Sequence, residues 1–408
     1  MNNPPQTHDL MIVFDAVTGG TFGLAALKQA IPDIINFVAL AGCFERIGVL
    51  AYRNYAYTAE KVVEWSGWCN PSYDLSSPST DDILKFVKDL EMPDDSEYKL
   101  DCASKTAFAK VYQEIRSNGT IIFLYNHAPP LLEDMRGPRY YLEQMLLAEY
   151  GETGPLFGNW MKGVNALAGL ASDKKAVVLS FSFGYADRTS DWSPYLYLSF
   201  MTEGEFYLTA YSDISRLTIC LLLTWMQADG NINIPHSSRT TYKKAPLLLD
   251  RGLEANMEMF CGQDNGNLEF LSIHTAPRNC LRVPYGGVNN NNQQLSKFTS
   301  RNLARNYINC SEYSKNVIAK HIDRIIRTNV SVITIHPLFV QLWAAVCLDQ
   351  TGNDIKRTFL ERFKAHIDQI SDPGDKRQAQ TWLEKSYTFF HTIIQEYDSA
   401  QGSLGDTV

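Results

Sequence analysis

The stretches Asp9-Leu-Met-Ile-Val-Phe-Asp15 and Arg46-Ile-Gly-Val-Leu-Ala-Tyr-Arg53 decide the fold. Each is a short, almost uninterrupted apolar run, which is typical of a strand buried on both faces of a parallel sheet. Between them, apolar residues recur at helical spacing from residue 22 to residue 40. The sequence therefore predicts a strand, a helix and a second strand at the start of the chain.

The same alternation continues outward to about residue 230. We predict a short edge strand at 62–66 and buried strands at 120–125, 176–183 and 206–209. Predicted helices lie at 83–90, 106–115, 140–147, 160–170, just before Met201 and at 214–227. Strands that alternate with helices predict an α/β fold, with a doubly wound, mostly parallel sheet covered by helices on both faces.

The pattern changes after Gly230. Residues 231–300 are expected to form an irregular connecting region, which includes the polar tract Asn289-Asn-Asn-Asn-Gln-Gln294. Helical spacing returns over residues 301–398 and predicts a bundle of about four helices, and residues 399–408 are expected to be a disordered tail. The predicted domains are thus residues 8–230, 231–300 and 301–398.

Composition favours a folded protein of the cytoplasm or nucleus. The eight cysteines are spread singly, with no C-x-x-C pair, which fits reduced thiols better than disulfides or a zinc site. No uninterrupted apolar segment of about 18 residues is present, so we expect no membrane partner.

Charge is distributed unevenly along the chain, whose net charge is −8. Residues 1–235 hold 17 basic and 28 acidic side chains, whereas residues 236–330 hold 13 and 7. The small basic excess could contact nucleic acid. It is more typical of a solvated face, or of a surface that docks on the acidic front half, so nucleic acid is not the expected partner.

Several stretches resemble the von Willebrand factor type A (vWA) domain. Residues 9–55 are similar to the opening strand, helix and second strand of this family, and Ile121 to Pro130 is similar to the strand that ends in an Asp-Ala-Pro-Pro loop. Residues 199–206 and 214–217 resemble the step before the last strand and the start of the final helix. The resemblance covers residues 8–230, a little over half of the chain.

Many vWA domains carry a metal-ion-dependent adhesion site, and the resemblance implies that most of its ligands are missing here. Asp15 keeps the first carboxylate, but the two serine positions fall on Val17 and Gly19, and the third-loop aspartate falls on His127. The metal-binding threonine corresponds to Ser104 or is missing. We therefore expect no metal cofactor, and we expect Asp15 and His127 to form a hydrogen-bonded pair.

Two threonines leave a metal-dependent alternative open. Thr18 and Thr21 could replace the lost oxygens if the loop were shifted in register, giving a Mg²⁺-dependent binder with a displaced ligand set that includes Asp15.

The function that the resemblance implies is non-enzymatic: intracellular protein–protein recognition or scaffolding. Ligands of open α/β sheets bind outside the carboxyl ends of the strands. The expected binding surface is therefore formed by the loops there, with the following candidate residues: Asp15, Thr18, Thr21, Asp101, Ser104, Asn126 and His127.

Enzymatic alternatives have weaker support. A nucleophile pair of Cys102 and His127 lacks an orienting third group, and Gly19-Gly20 lacks the lysine of a phosphate-binding loop. An enzyme with an unrecognised site in residues 231–408 remains open. Trp65-Ser-Gly-Trp68, next to the predicted edge strand, is a further candidate for contact with a partner.

Overall fold

The computed structural model describes the following residues: 8–16, 21–55, 57–71, 79–91, 102–116, 119–127, 170, 173–183, 195–196, 198–199, 202, 204–208, 214–226, 243–244, 300–349, 353–389 and 393–395. The predicted helices at 140–147 and, apart from Leu170, at 160–170 lie outside these residues. So do the predicted tail and nearly all of the predicted connecting region. Helices and strands are numbered here within the described residues.

A mostly parallel sheet forms the centre of the protein. Its strands are β1 (His8–Asp15), β2 (Phe44–Tyr52), β3 (Val63–Cys69), β4 (Thr120–Asn126), β5 (Val177–Ser182), β6 (Phe206–Leu208) and the two-residue β7 (Lys243–Lys244). They lie in the order β3-β2-β1-β4-β5-β6-β7. Only β3 and β7, at the two ends of this order, run antiparallel to their neighbours. The predicted α/β fold with a mostly parallel sheet is confirmed.

Two strands differ from the prediction. The edge strand extends to Cys69, beyond the predicted end at residue 66, because Trp68 and Cys69 continue the pairing with β2. Strand β7 was not predicted, since two lysines carry no apolar pattern. Trp65 and Trp68 are both partly buried, and Trp68 donates a hydrogen bond from its Nε1 to the Glu114 carbonyl (3.1 Å).

Helices cover both faces of the sheet. They are α1 (Thr21–Ala41), α2 (Ala59–Val62), α3 (Thr80–Asp89), α4 (Ser104–Glu114) and α5 (Ile214–Trp225). Apolar residues of α1 and α5 join one core cluster, and those of α4 join a second cluster on the opposite face. The predicted two-sided covering of the sheet is therefore confirmed.

The C-terminal helices are α6 (Ser300–Asn309), α7 (Glu312–Thr328), α8 (Val330–Thr334), α9 (Val340–Asp349), α10 (Asn353–Gln369) and α11 (Pro373–Thr388). A short 3₁₀ turn, Pro337–Phe339, precedes α9. The helical character expected of this region is confirmed, and the described part contains more helices than the four expected, because the chain turns sharply at Asn329 and His336. Both residues cap the helix that follows with their own side chains.

The C-terminal helices pack on α1 and share its core. Buried residues of α1, α5 and α7 to α11 belong to one continuous apolar cluster. Phe37 of α1 meets Phe339 edge to face at 5.1 Å. Polar contacts reinforce the junction, since His321 Nδ1 lies 2.8 Å from Asn36 Oδ1 and the Thr328 hydroxyl donates to Asp33 (2.8 Å). The division into separate domains stays a prediction, but the two regions are in contact through buried side chains.

Helix α1 is apolar on nearly all sides. By length and composition alone, Gly23–Ala41 is long and apolar enough to cross a membrane, and 72% of its most apolar window is buried inside the protein. A count of uninterrupted apolar residues does not detect it because Lys28 and Asp33 break the run. Helix α1 is buried between the sheet and the C-terminal helices, and this position accounts for its apolar composition. A helix that is covered on two sides needs two apolar faces.

Candidate functional site

Strand β1 lies between β2 and β4. From β1 the chain first adds strands on one side of the sheet, β2 and β3, and then adds β4 and the later strands on the other side, so the order reverses beside β1. In open α/β sheets this point of reversal leaves a crevice outside the carboxyl ends of the strands, and ligands bind there. The carboxyl ends of β1 and β4 are Asp15 and Asn126. The structure therefore places two of the predicted site residues at the position where a doubly wound sheet binds its ligands.

Four polar residues form a row across this edge of the sheet. Tyr52, Asp15, Asn126 and Ser182 are the last residues of β2, β1, β4 and β5, which are neighbours in that order. Tyr52 is aligned with Asp15, and Asn126 with Ser182. Because side chains alternate along a strand, all four fall on the face that α4 covers. We call these four residues the polar row.

Every member of the polar row is buried, with at most 2% of its surface exposed. The Tyr52 hydroxyl donates a hydrogen bond to Asn126 Oδ1 (3.0 Å), and this bond reaches across the end of β1. Burial, with the Cys102 thiol and the Asp15 carboxylate adding to it, raises the pKa of Tyr52 well above its usual value. Tyr52 is therefore a fixed neutral donor at the site.

A second tyrosine lies over the same region. The Tyr195 hydroxyl lies 3.1 Å from Cys102 Sγ, and both side chains are buried. Burial, and then the neighbouring Cys102 and Tyr52, raise the pKa of Tyr195 well above its usual value. Cys102 therefore has a neutral hydroxyl as a neighbour, and the residue is 1% exposed. The Cys102–His127 nucleophile pair stays a hypothesis that no described contact supports.

The loop before α4 is anchored to the end of β2. The Ala103 amide donates to the Arg53 carbonyl (2.8 Å), which fixes Ser104 at the first position of α4. The Arg53 guanidinium is itself buried and donates to the Lys61 carbonyl (2.8 Å) as well as pairing with Glu64. A buried arginine with several partners holds its surroundings rigidly, so the start of α4 is held in place beside the polar row.

Three buried polar atoms near this edge have no hydrogen-bond partner within the part of the chain that the structure describes: Asn126 Nδ2, Ser104 Oγ and Ser182 Oγ. Leaving such a group unpaired costs about 1–3 kcal/mol, so unpaired buried groups are rare and call for a specific cause such as a water, an ion or a ligand. Two of the three belong to the polar row. Part of the hydrogen-bonding capacity that remains unused among the described residues therefore lies at the carboxyl edge of the sheet.

The predicted site residues are only partly brought together. Asp15, Ser104 and Asn126 are buried at the carboxyl edge, and His127 is partly exposed directly after β4. Thr21 is the first residue of α1. Thr18 and Asp101 lie outside the described residues. The Asp15–His127 hydrogen bond stays a prediction.

Sequence reasoning missed three residues of this site. Tyr52 ends one predicted strand and Ser182 lies one residue before the end of another, so the same strand-end argument that selected Asp15 and Asn126 could have selected them. Tyr195 lies 93 positions from its partner Cys102, and nothing in the local sequence indicates that contact. A network built from distant segments becomes visible only when the fold is known.

The carboxylate and the amide of the polar row fit Mg²⁺ poorly. Asp15 is the one carboxylate in the polar row, and Asn126 Oδ1 already accepts the Tyr52 hydrogen bond. The unused atom of Asn126 is its amide nitrogen, which donates and does not bind a cation. Among the described residues, no three His, Cys, Asp or Glu side chains are grouped so that they could hold an ion. The unused amide nitrogen of Asn126 favours a hydrogen-bond acceptor on the ligand.

Comparison with known proteins gives no family for this chain. No protein-family model matches it, and no curated protein matches it. Among solved structures, proximal thread matrix protein 1 from the mussel byssus aligns with 52% of this chain at 13% identity, with a TM-score of 0.30. The aligned part spans 46% of that structure, so less than half of it is covered. A likeness this weak supports no conclusion about family or function.

Proposed function

We propose that this chain is an intracellular, non-enzymatic protein-binding or scaffolding protein, built on a vWA-like domain that recognises its partner without a metal. The strand order β3-β2-β1-β4-β5-β6 is the doubly wound order whose ligands bind at the point of reversal. The motif resemblance in residues 8–230 supports the vWA assignment and the binding role.

The observation that carries the proposal is the polar row with its unused Asn126 amide nitrogen and Ser182 hydroxyl. A buried donor fixed at the switch point suits a hydrogen-bond acceptor of the partner, such as a carbonyl or carboxylate oxygen. Because the row itself is buried, its role is to hold the edge of the sheet and to receive a group that enters between the loops. His127, partly exposed next to Asn126, is the described residue best placed to touch the partner's surface.

A photo-crosslinking experiment in the full-length chain tests this proposal. A photoreactive amino acid replaces His127, and in a matched control it replaces Lys385, an exposed residue of α11. We expect a discrete crosslinked protein from position 127 and not from position 385. Substituting Asn126→Leu in the crosslinking chain should remove the product, because the side chain loses its donor while keeping a similar size.

Two results would contradict the proposal. One is the same crosslinked product from both positions, which would indicate non-specific contact. The other is an unchanged yield with Asn126→Leu in a chain that remains folded by circular dichroism. Either would show that recognition does not depend on the carboxyl edge of the sheet.

A Mg²⁺-dependent binder is the second candidate, and one observation favours it. The hydroxyl oxygens of Ser104 and Ser182 are buried and have no partner among the described residues, and with Asp15 they are hard oxygen ligands. Titration calorimetry with Mg²⁺ and Mn²⁺ on the full chain and on Asp15→Asn decides between the candidates. Heat that disappears in Asp15→Asn would support the metal-dependent candidate, and no heat in either chain would remove it.

A further inference from the structure

A groove runs between α7 and α10, far along the chain from the polar row. It has a volume of about 400 Å³ and is open to solvent. Ala319 and the buried ring of Phe359 contribute its apolar lining, and Lys320, Asp323, Arg327 and Arg362 contribute its charged lining. We call these six residues the basic groove. Its open shape is that of a docking surface, not of an enclosed catalytic pocket.

The basic groove carries a charge opposite to that of the chain. Three of its side chains are basic and one is acidic, although the protein as a whole has a net charge of −8. Lys320, Arg327 and Arg362 are 52%, 57% and 39% exposed, so their charged ends are accessible to a ligand. A local positive potential on an acidic protein attracts negatively charged partners selectively.

Asp323 orients the two arginines without using up their donors. Its Oδ2 accepts from Arg327 Nε (2.7 Å) and its Oδ1 from Arg362 Nη1 (2.8 Å). A guanidinium has five N–H donors, so each arginine can also bind a carboxylate of a ligand. Asp323 holds both guanidinium groups in the same groove. Because these side chains are already ordered, the entropic cost of binding a ligand is smaller.

Lys320 marks the other end of the basic groove. Its ammonium contacts Asp81 of α3 (2.6 Å), which also pairs with Arg324 (2.5 Å). Lys320 and Arg327 are seven residues apart on α7, which places them about 10 Å apart along the helix axis. A peptide in the extended polyproline II conformation advances about 3.1 Å per residue with three residues per turn, so acidic side chains three residues apart lie on one face and match this spacing.

From this geometry we propose that the basic groove binds an acidic, extended peptide segment of a partner protein. Carboxylates of the peptide pair with Arg327 and Arg362 at one end and with Lys320 at the other, and its backbone lies over Ala319 and Phe359. Charge complementarity and the spacing of the cations select this occupant. The inference does not rest on the function proposed for the carboxyl edge of the sheet, because the two surfaces share no residue.

Fluorescence anisotropy with the full chain tests the inference directly. The probe is a labelled octapeptide with glutamate at every third position. The neutral control peptide has glutamine at the same positions. We expect the glutamate peptide to bind more tightly, with an affinity that falls as salt is raised. The variant Arg327→Ala/Arg362→Ala should bind it about 5- to 10-fold more weakly, since each exposed ion pair contributes modestly.

A charge-matched control separates this groove from general charge effects. Lys364→Ala/Lys385→Ala also removes two cations, from exposed positions outside the groove lining, and should leave the affinity within about 2-fold. Arg362→Lys keeps the charge but loses the planar fork, so its effect should be smaller than that of Arg362→Ala. Thermal unfolding of each variant confirms that it remains folded.

Three outcomes would overturn the inference. They are equal binding of the glutamine peptide, an equal loss of affinity in the control variant, and tighter binding of a single-stranded oligonucleotide through Arg327 and Arg362. The last would assign the groove to nucleic acid. None of them bears on crosslinking from position 127, so this inference and the proposed function can fail separately.

Discussion

The hydroxyl of Tyr52 donates a 3.0 Å hydrogen bond to Oδ1 of Asn126, and the two residues end strands that lie on either side of β1. The bond therefore closes over the end of the strand that Asp15 terminates. It also fixes which side of the Asn126 amide is used, because Oδ1 is occupied and Nδ2 is not. One internal contact thus determines which hydrogen-bonding group the switch point presents.

Removing this bond should destabilise the protein measurably. Tyr52→Phe deletes the donor hydroxyl and leaves a buried amide oxygen without its partner, for which we expect a loss of about 1–3 kcal/mol in the free energy of unfolding. Urea denaturation measures it. Tyr313→Phe is the control, since Tyr313 is 45% exposed and should change stability by less than about 0.5 kcal/mol. Equal effects in the two variants would show that the Tyr52 bond contributes nothing specific.

Asp33 should make stability depend on pH. Burial raises the pKa of Asp33 to about 6, although the Thr328 hydroxyl donates a hydrogen bond that opposes the shift. A folded-state pKa above the unfolded value means that the native state holds the proton more tightly. The stability from this residue is therefore complete below the unfolded value of 3.8 and is lost as pH rises through about 6.

The substitution Asp33→Asn tests that sign. Asparagine keeps an acceptor for Thr328 but cannot ionise, so at neutral pH the variant should be more stable by about 2 kcal/mol, and at pH 4 it should differ little. Urea midpoints measured from pH 4 to pH 7 give the comparison. A variant that is less stable at neutral pH than the natural chain would contradict the assigned burial cost.

Gly204 packs against the backbone of β5. A Cβ at this position would lie 1.8 Å from the Val178 carbonyl oxygen, so Gly204→Ala requires the main chain to move. We expect a loss of about 3 kcal/mol or more, or failure to fold. Gly42→Ala is the matched control: it meets no atom within 4 Å but has a φ of +63°, and should cost about 1–2 kcal/mol through backbone strain alone. A milder effect at Gly204 than at Gly42 would exclude the close approach.

The strands were the part of the fold most easily predicted from sequence, because a strand buried on both faces needs a continuous apolar run. Residues 9–15, 46–52 and 120–125 all carry such a run, and all three became β1, β2 and β4. Strand β3 was predicted too short because Gly67 interrupts its pattern with a φ of +75°. Pairing with β2 overrides that local signal, as tertiary context commonly does for edge strands.

The candidate site was only half predictable. Asp15 and Asn126 could be named because they end strands at the carboxyl edge of the sheet. The contacts of Tyr52 with Asn126 and of Tyr195 with Cys102 join positions 74 and 93 residues apart, and no local pattern encodes such pairs. The sequence of α1 did indicate that another element packs on it, although this signal was not used. A helix with apolar side chains on nearly every side must be covered on two sides, and α7 covers the side of α1 that faces away from the sheet.

The ion pair between Arg216 and Asp375 joins α5, which covers one face of the sheet, to the first turn of α11. Arg216 Nη1 lies 2.9 Å from Asp375 Oδ2, and the two side chains are 17% and 6% exposed. Arg216→Met keeps most of the packing but removes a partner of a buried carboxylate, which should cost about 2 kcal/mol. The exposed Lys385→Met on the same terminal helix should change stability by less than about 0.5 kcal/mol.

The number of unfolding steps is the more informative result for this variant. Because α1, α5 and the C-terminal helices share one apolar cluster, the sheet and the helices should unfold together. Arg216→Met should then shift a single transition, seen at the same urea concentration by circular dichroism and by tryptophan fluorescence. If two transitions appear and only one moves, the C-terminal helices form an independent folding unit, and the predicted separate domain at residues 301–398 would gain its first direct support.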